Sequence, residues 1–198
     1  MAKNHRYARN LVMLAVGSYL FVYVGLLGHE NLSLSGFWYY LGLGVFEGAV
    51  IHFLIAKILG PLLFGRGWCG YACWTAMVLD FLPFKIPNHK RRKIGFIRYI
   101  VFGVSLVFVG ALFLCKVGNL ERIMFWSFLV GNILYYIVGI ILAYAFKDNR
   151  AFCKYICPIT VFLKPMSYFS TLRIQCDKNK CVSCGKCKAV CPMDVDMT

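Results

Sequence analysis

Between Arg122 and Lys147 the chain runs 24 residues without a charged side chain. A helix of that length reaches roughly 36 Å, more than the ~30 Å hydrocarbon core of a bilayer. Backbone that crosses lipid must satisfy its own hydrogen bonds, so such a stretch is a helix. Residues 11–28 and 99–115 are also free of charge. Residues 36–58 are mostly apolar but contain Glu47, His52 and Lys57. The stretch 99–115 gains length from residues 94–98. The expectation is an all-α membrane protein with four transmembrane helices over 11–28, 36–58, 99–115 and 123–146. Composition agrees: 60% of residues are hydrophobic, against roughly 45–50% in soluble domains. The first stretch is longer than a signal-peptide core and no small-residue cleavage pattern follows it, so it reads as an uncleaved helix.

A net charge of +14 raises the question of nucleic acid, and its distribution answers it. With four spans, residues 1–10, the segment between spans two and three, and everything after span four share one side. Of the 22 Lys and Arg, only Lys116 and Arg122 fall on the other. This positive-inside bias places both termini in the cytoplasm and makes the chain a multi-pass protein of a prokaryotic inner membrane. The run Lys90-Arg91-Arg92-Lys93 reads as a topology anchor touching anionic headgroups, and no nucleic-acid partner is expected. No G-x-G-x-x-G or P-loop pattern is present, and eight carboxylates are too few for a paired acid–base site.

Nine of the ten cysteines lie on the expected cytoplasmic side, where thiols stay reduced and serve metals or catalysis. Cys115 is the exception and is expected to be a buried apolar residue. Four of the nine belong to a duplication. Arg66-Gly67-Trp68-Cys69-Gly70-Tyr71-Ala72-Cys73 aligns with Arg150-Ala151-Phe152-Cys153-Lys154-Tyr155-Ile156-Cys157 at an offset of 84 residues. Each copy follows a pair of spans, so the membrane domain, 1–170, reads as two parallel hairpin repeats over about 11–84 and 95–170. Both C-x₃-C pairs then reach the same face, where they supply four thiolates for one cluster or remain packed apolar residues. Helical pairs at i and i+4 share a face. Pro158 disfavours helix at Cys157, which leaves a turn as the alternative. Arg66 and Arg150 either offset the charge of thiolate-bound iron or snorkel to headgroups.

Residues 171–198 read as a short cytoplasmic iron–sulfur segment. Cys181, Cys184, Cys187, Cys191 and Pro192 form the run C-x₂-C-x₂-C-x₃-C-P, the spacing that ligates [4Fe-4S] clusters in bacterial ferredoxins. In two-cluster ferredoxins the fourth cysteine serves a second cluster, whose own run is not found in these 198 residues. Three readings follow: a piece of a longer protein, which is favoured; one cluster on Cys181, Cys184 and Cys187 with Cys191 or Cys176 as fourth ligand; or completion by a partner subunit. A four-cysteine zinc site is disfavoured, since those use separated C-x₂-C pairs.

Glu47 sits mid-span between Gly44 and Gly48, a pattern that permits close helix contact. With His52 it is a candidate for proton transfer or quinone contact, or else a paired structural carboxylate. Asn132 is a candidate partner for Glu47. Of His5, His29, His52 and His89 just one lies within a span, so a di-haem bundle is not expected.

With these motifs in view, the chain resembles the membrane-bound 4Fe-4S ferredoxin-type proteins of the NapH, NosR and CcoG type. In these, two C-x₃-C-P motifs follow transmembrane helices and a ferredoxin domain comes after. Cys69, Cys73, Cys153 and Cys157 match the two C-x₃-C positions, and Cys181, Cys184, Cys187 and Cys191 match the first ferredoxin run. Trp74 stands where the family has proline. The resemblance implies one or two [4Fe-4S] clusters and electron transfer between a quinol or cytoplasmic donor and a partner redox protein. The alternatives are an accessory role, reducing a metal or maturing a partner oxidoreductase, and a redox sensor. An electron-transfer subunit is expected rather than a stand-alone enzyme, with the bilayer, a redox partner and a quinone as its associates.

Overall fold

The computed structural model describes residues 2–46, 48–84, 94–115, 117–172, 176–177, 179, 181–185, 187, 191 and 193, the side chains of 2–6, 66 and 68 excepted. Glu47, Lys116 and the run 90–93 lie outside the described residues. Those described form helices, turns and irregular segments, with no strand among them.

Helix α1 (Ala2–Ser18) continues as a π-helix over Tyr19–Leu27. Then come α2 (Leu34–Leu43) and α3 (Gly48–Phe53), which runs on through a π-helical stretch, Leu54–Leu59, into α4 (Gly60–Phe64). A 3₁₀ turn, Gly65–Gly70, and α5 (Trp74–Leu79) close the first half. The second half holds α6 (Ile97–Leu114), α7 (Leu120–Phe146), α8 (Ala151–Tyr155) and α9 (Thr160–Tyr168). Three helices, Tyr7–Leu27, Ile97–Leu114 and Leu120–Phe146, are long and apolar enough to cross a membrane. A shorter apolar helix runs over Gly48–Phe64. The long helices keep most of their apolar surface turned outward; only 11% of the α6 window is buried. In water that surface carries the full hydrophobic penalty, and lipid removes it.

The span expected over 36–58 is not one helix. Gly44 adopts φ +69°, a left-handed cap that a glycine enters without strain, and its N–H closes α2 onto Leu41 and Tyr40. The chain then reverses. Phe37 and Phe53, 16 positions apart and hence about 24 Å apart in a continuous helix, stack with ring centroids 4.1 Å apart. Gly44 therefore terminates a helix instead of forming a helix contact with Gly48. Phe162 of α9 and Trp38 join this pair, and Trp38 meets Phe102 of α6. This aromatic cluster ties the first half to the second. Each such pair contributes about 0.5–1.5 kcal/mol beyond its buried area.

The halves also exchange their ends. Asn149 donates from its backbone to the Phe84 carbonyl at 2.9 Å and from its side chain to the Leu82 carbonyl at 2.6 Å. Reciprocally, the N–H groups of Thr171 and Leu172 reach the Leu62 and Leu63 carbonyls, both at 2.9 Å. The chain leaving each half is thus bound beside the cysteine motif of the other. Cys115, expected to be buried, is exposed at the end of α6: Phe113 of the same last turn is the residue that packs inward, on Tyr39.

Candidate functional site

Both C-x₃-C segments turn back into the bundle. Trp74, next to Cys73, packs against Gly17, eight residues and about 12 Å along α1 from Arg9; a Cβ on Gly17 would stand 3.2 Å from the Trp74 Cα. The Trp74 indole N–H donates to Asn132 Oδ1 at 2.7 Å, and Asn132 Nδ2 donates to the Phe128 carbonyl at 2.7 Å. Asn132, expected to serve Glu47, is thereby committed to Trp74. From that depth α5 descends, with Leu79 against Gly139, until Asp80 meets Arg9 at 3.1 Å and Arg150 at 2.6 Å. In the second half Phe152 packs on Tyr135. The Lys154 carbonyl accepts from the Arg98 guanidinium at 2.6 Å. The four cysteines accordingly sit against the bundle, each partly exposed.

Neither pair lies on one continuous helix. Cys69 is in the 3₁₀ turn, and Cys73 is extended (φ −94°, ψ 117°) as the cap of α5. Cys153 is within α8 and Cys157 just beyond it. Of the two arrangements the sequence allows, the turn is the one found. Pro158 and the packed ring of Trp74 mark the same step, the start of the next helical segment.

The four thiols are neighbours. The Cys153 thiol responds to Cys157, Cys73 and Cys69, and that of Cys69 to Cys73 and Cys157. Loss of water around them pushes Cys69 up to about 11, with Cys73 and Cys157 adding to the rise against Lys57 and Arg150. Desolvation likewise raises Cys153 and Cys157. Two cations face the sulfurs. Arg150, buried, bonds Asp80 and is within electrostatic reach of Cys153. Lys57, 5% exposed, stands 5.4 Å from the Trp74 ring centroid. A second ion pair, Lys154 to Asp148 at 2.7 Å, braces the turn that carries Arg150, whose N–H bonds Asp148 at 2.9 Å.

Among the described residues no three His, Cys, Asp or Glu are spaced to hold a single metal ion. A single ion draws thiolate sulfurs to ~2.3 Å, whereas a cubane offers one iron per thiolate and takes ligands standing further apart. Four thiols drawn from two halves, three of them raised by desolvation and faced by two cations, suit the cubane.

In the tail, Cys176, Cys181, Cys184, Cys187 and Cys191 are described. Cys181 and Cys176 share a hydrogen bond, which raises the Cys176 thiol; Cys181, Cys187 and Cys184 add to the rise. The Ser183 backbone N–H, followed by Cys176, lowers Cys181. Cys176 is within electrostatic reach of Cys181, Cys184 and Cys187. Gly185 turns the chain with φ +68°. His52 Nε2 is buried without a hydrogen-bond partner among the described residues, and Glu47 lies outside them. Sequence reasoning missed Asp80, an isolated carboxylate without a motif, and counted Lys57 only as a topology charge.

The 4Fe-4S binding domain family matches two segments, residues 47–93 and 130–174. Each contains one C-x₃-C pair, at Cys69/Cys73 and Cys153/Cys157, and neither includes the tail run. Two uncharacterized proteins of Methanocaldococcus jannaschii are similar to the chain. One is 28% identical over 164 residues, covering 76% of this chain and 68% of its own length. The other is 25% identical over 154 residues, covering 75% and 61%. The methylamine utilization ferredoxin-type protein MauN of Paracoccus denitrificans is 23% identical over 169 residues, covering 77% of this chain and 57% of MauN. No solved structure matches significantly. The chain thus carries a 4Fe-4S binding domain in two segments. Its cofactor is a [4Fe-4S] cluster, and its chemistry is electron transfer, which entails a redox partner.

Proposed function

We propose that the chain relays single electrons through the cytoplasmic side of a prokaryotic inner membrane, between a quinol or cytoplasmic donor and a partner redox protein. It is one of the roles that the resemblance to the NapH, NosR and CcoG type implies. In this reading Gly48–Phe64 is the fourth crossing, 1–170 is the membrane domain with its internal repeat, 171–198 is the cytoplasmic segment, and both termini are cytoplasmic. Cys69, Cys73, Cys153 and Cys157 hold an interior cluster; Cys181, Cys184, Cys187 and Cys191 are the tail ligands.

The meeting of a C-x₃-C pair from each half around the buried Arg150–Asp80 ion pair, with Cys153 in electrostatic reach of the other three thiols, supports the reading. Bound there, a [4Fe-4S] cluster supplies a one-electron store. The protein's part is to bind and insulate it. Trp74 and Tyr136, whose hydroxyl donates to the Trp74 carbonyl at 3.4 Å, wall the site on the α7 side. Asp80 fixes Arg150 against the Cys153 sulfur.

The test is iron and acid-labile sulfide per chain on anaerobically purified protein, with EPR after dithionite reduction. The expected result is two cubane signals, one lost in both Cys69→Ser and Cys153→Ser while the other persists. Iron content and spectra unchanged in both variants would overturn the interior assignment.

A further inference from the structure

Among the described residues the buried charges near the cysteines differ in what they pair with. Arg150 pairs with Asp80, Lys154 with Asp148, and Arg98 with the carbonyls of Gly95 and Lys154. The Lys57 ammonium meets no carboxylate among the described residues. It lies 5% exposed on the π-helical stretch Leu54–Leu59, 5.4 Å from the Trp74 ring centroid. It is within electrostatic reach of Cys69 from the first half and Cys157 from the second. Burying an ammonium without a counter-charge is costly, and a cation–π contact offsets that cost in part. The ring alone does not offset the burial, so an anion is missing from this account.

A cluster in the interior site is that anion. Four thiolates on a doubly positive cubane core leave a dianion, and one-electron reduction adds a third negative charge. Arg9 and Arg150 share the single Asp80 carboxylate, so that group carries one net positive charge toward the thiols. Lys57 adds a second, and the two balance the oxidised cluster. We propose that Lys57 is the resident counter-cation of the interior cluster and holds its reduction potential up, an inference that rests on the interior site proposed above. A fixed positive charge favours the reduced state because that state carries the extra negative charge, and net charge around a cluster is one determinant of its potential. The electron enters the cluster and leaves it. Trp74 is the positioning residue, its ring holding the ammonium while its N–H is anchored on Asn132.

EPR-monitored redox titration of the whole anaerobically purified protein decides the matter, comparing wild type with Lys57→Met and Lys57→Arg. In Lys57→Met the interior signal is expected to need a lower potential, its reduced-to-oxidised ratio at fixed potential falling at least tenfold, about 59 mV for one electron. The tail signal stays where it was, and Lys57→Arg stays near wild type. An interior potential unchanged in Lys57→Met overturns the proposal. Should Lys57→Met lose the interior iron altogether, Lys57→Arg decides. Retention with arginine supports a requirement for charge, and loss with arginine as well overturns it in favour of packing. An interior signal missing from the wild type would instead overturn the site itself, a result distinguishable before any Lys57 variant is made.

Discussion

The interior and tail cysteines place the same thiol in opposite surroundings. Inside the bundle, desolvation pushes Cys69, Cys153 and Cys157 up, and the protein answers with charge, through Arg150 and Lys57. In the tail, Cys184 and Cys187 are exposed, and a backbone N–H from Ser183 lowers Cys181. The interior cysteines lie on segments from two halves that bond to each other, whereas a described tail contact, Asn179 N–H to Asp177 Oδ1 at 3.0 Å, joins near neighbours in sequence. In the proposed reading the first site is held by tertiary contacts and the second is organised locally, where metal binding is coupled to folding.

Thiol reactivity in cluster-free protein exposes the difference most strongly. Only the thiolate is a nucleophile. With its pKa near 11, Cys69 is about one part in a thousand ionised at pH 8, some hundredfold less than an ordinary cysteine of pKa ≈ 8.5–9. Alkylation followed by mass spectrometry should therefore label Cys181 at least ~100-fold faster than Cys69 at pH 8. The Cys69 rate should rise about tenfold per pH unit until the pH nears 11; the Cys181 rate should level off earlier, because its pKa is lowered. Equal rates at the two positions would erase the contrast.

Asp80→Asn probes the interior charge network. It removes the carboxylate shared by Arg9 and Arg150 and leaves buried cations uncompensated, a loss of about 3–5 kcal/mol. Thermal unfolding in detergent should show it, while Asp177→Asn in the exposed tail should stay within about 0.5 kcal/mol of wild type. Trp74→Phe keeps the ring but strands the Asn132 carbonyl oxygen, and should cost about 1–3 kcal/mol in the same assay.

How much of this was legible beforehand depended on whether the cause was local. The long spans were, because charge-free runs such as 123–146 leave a backbone in lipid no other choice. The paired cysteine segments were too, since Arg, aromatic, Cys, Tyr and Cys recur in register. The reversal at Gly44 was hidden: apolarity continues across it, and a glycine inside a helical pattern reads equally as a contact point or a cap. The inward fold of both motifs was hidden as well. It rests on pairings such as Trp74 with Asn132 and Asp80 with Arg150, each between residues some 60–70 positions apart, and no local pattern announces such partners. Lys57 looked like one more positive charge near a membrane face, and only its burial over Trp74 marks it out.

The smallest expected effect lies in the tail. Gly185 holds φ +68° and a Cβ there would meet nothing within 4 Å, so Gly185→Ala tests backbone conformation alone. An L-residue forced into that region costs about 1 kcal/mol relative to glycine, roughly a fivefold shift in a local equilibrium. The effect should stay local, because the interior site takes its shape from other contacts. Cluster retention in the tail, read by EPR after mild chelator treatment, should fall several-fold while the interior signal holds. A matching loss of the interior signal would mean that the two regions are coupled. Neither signal changing would mean that the tail reaches its binding geometry without the left-handed turn at Gly185.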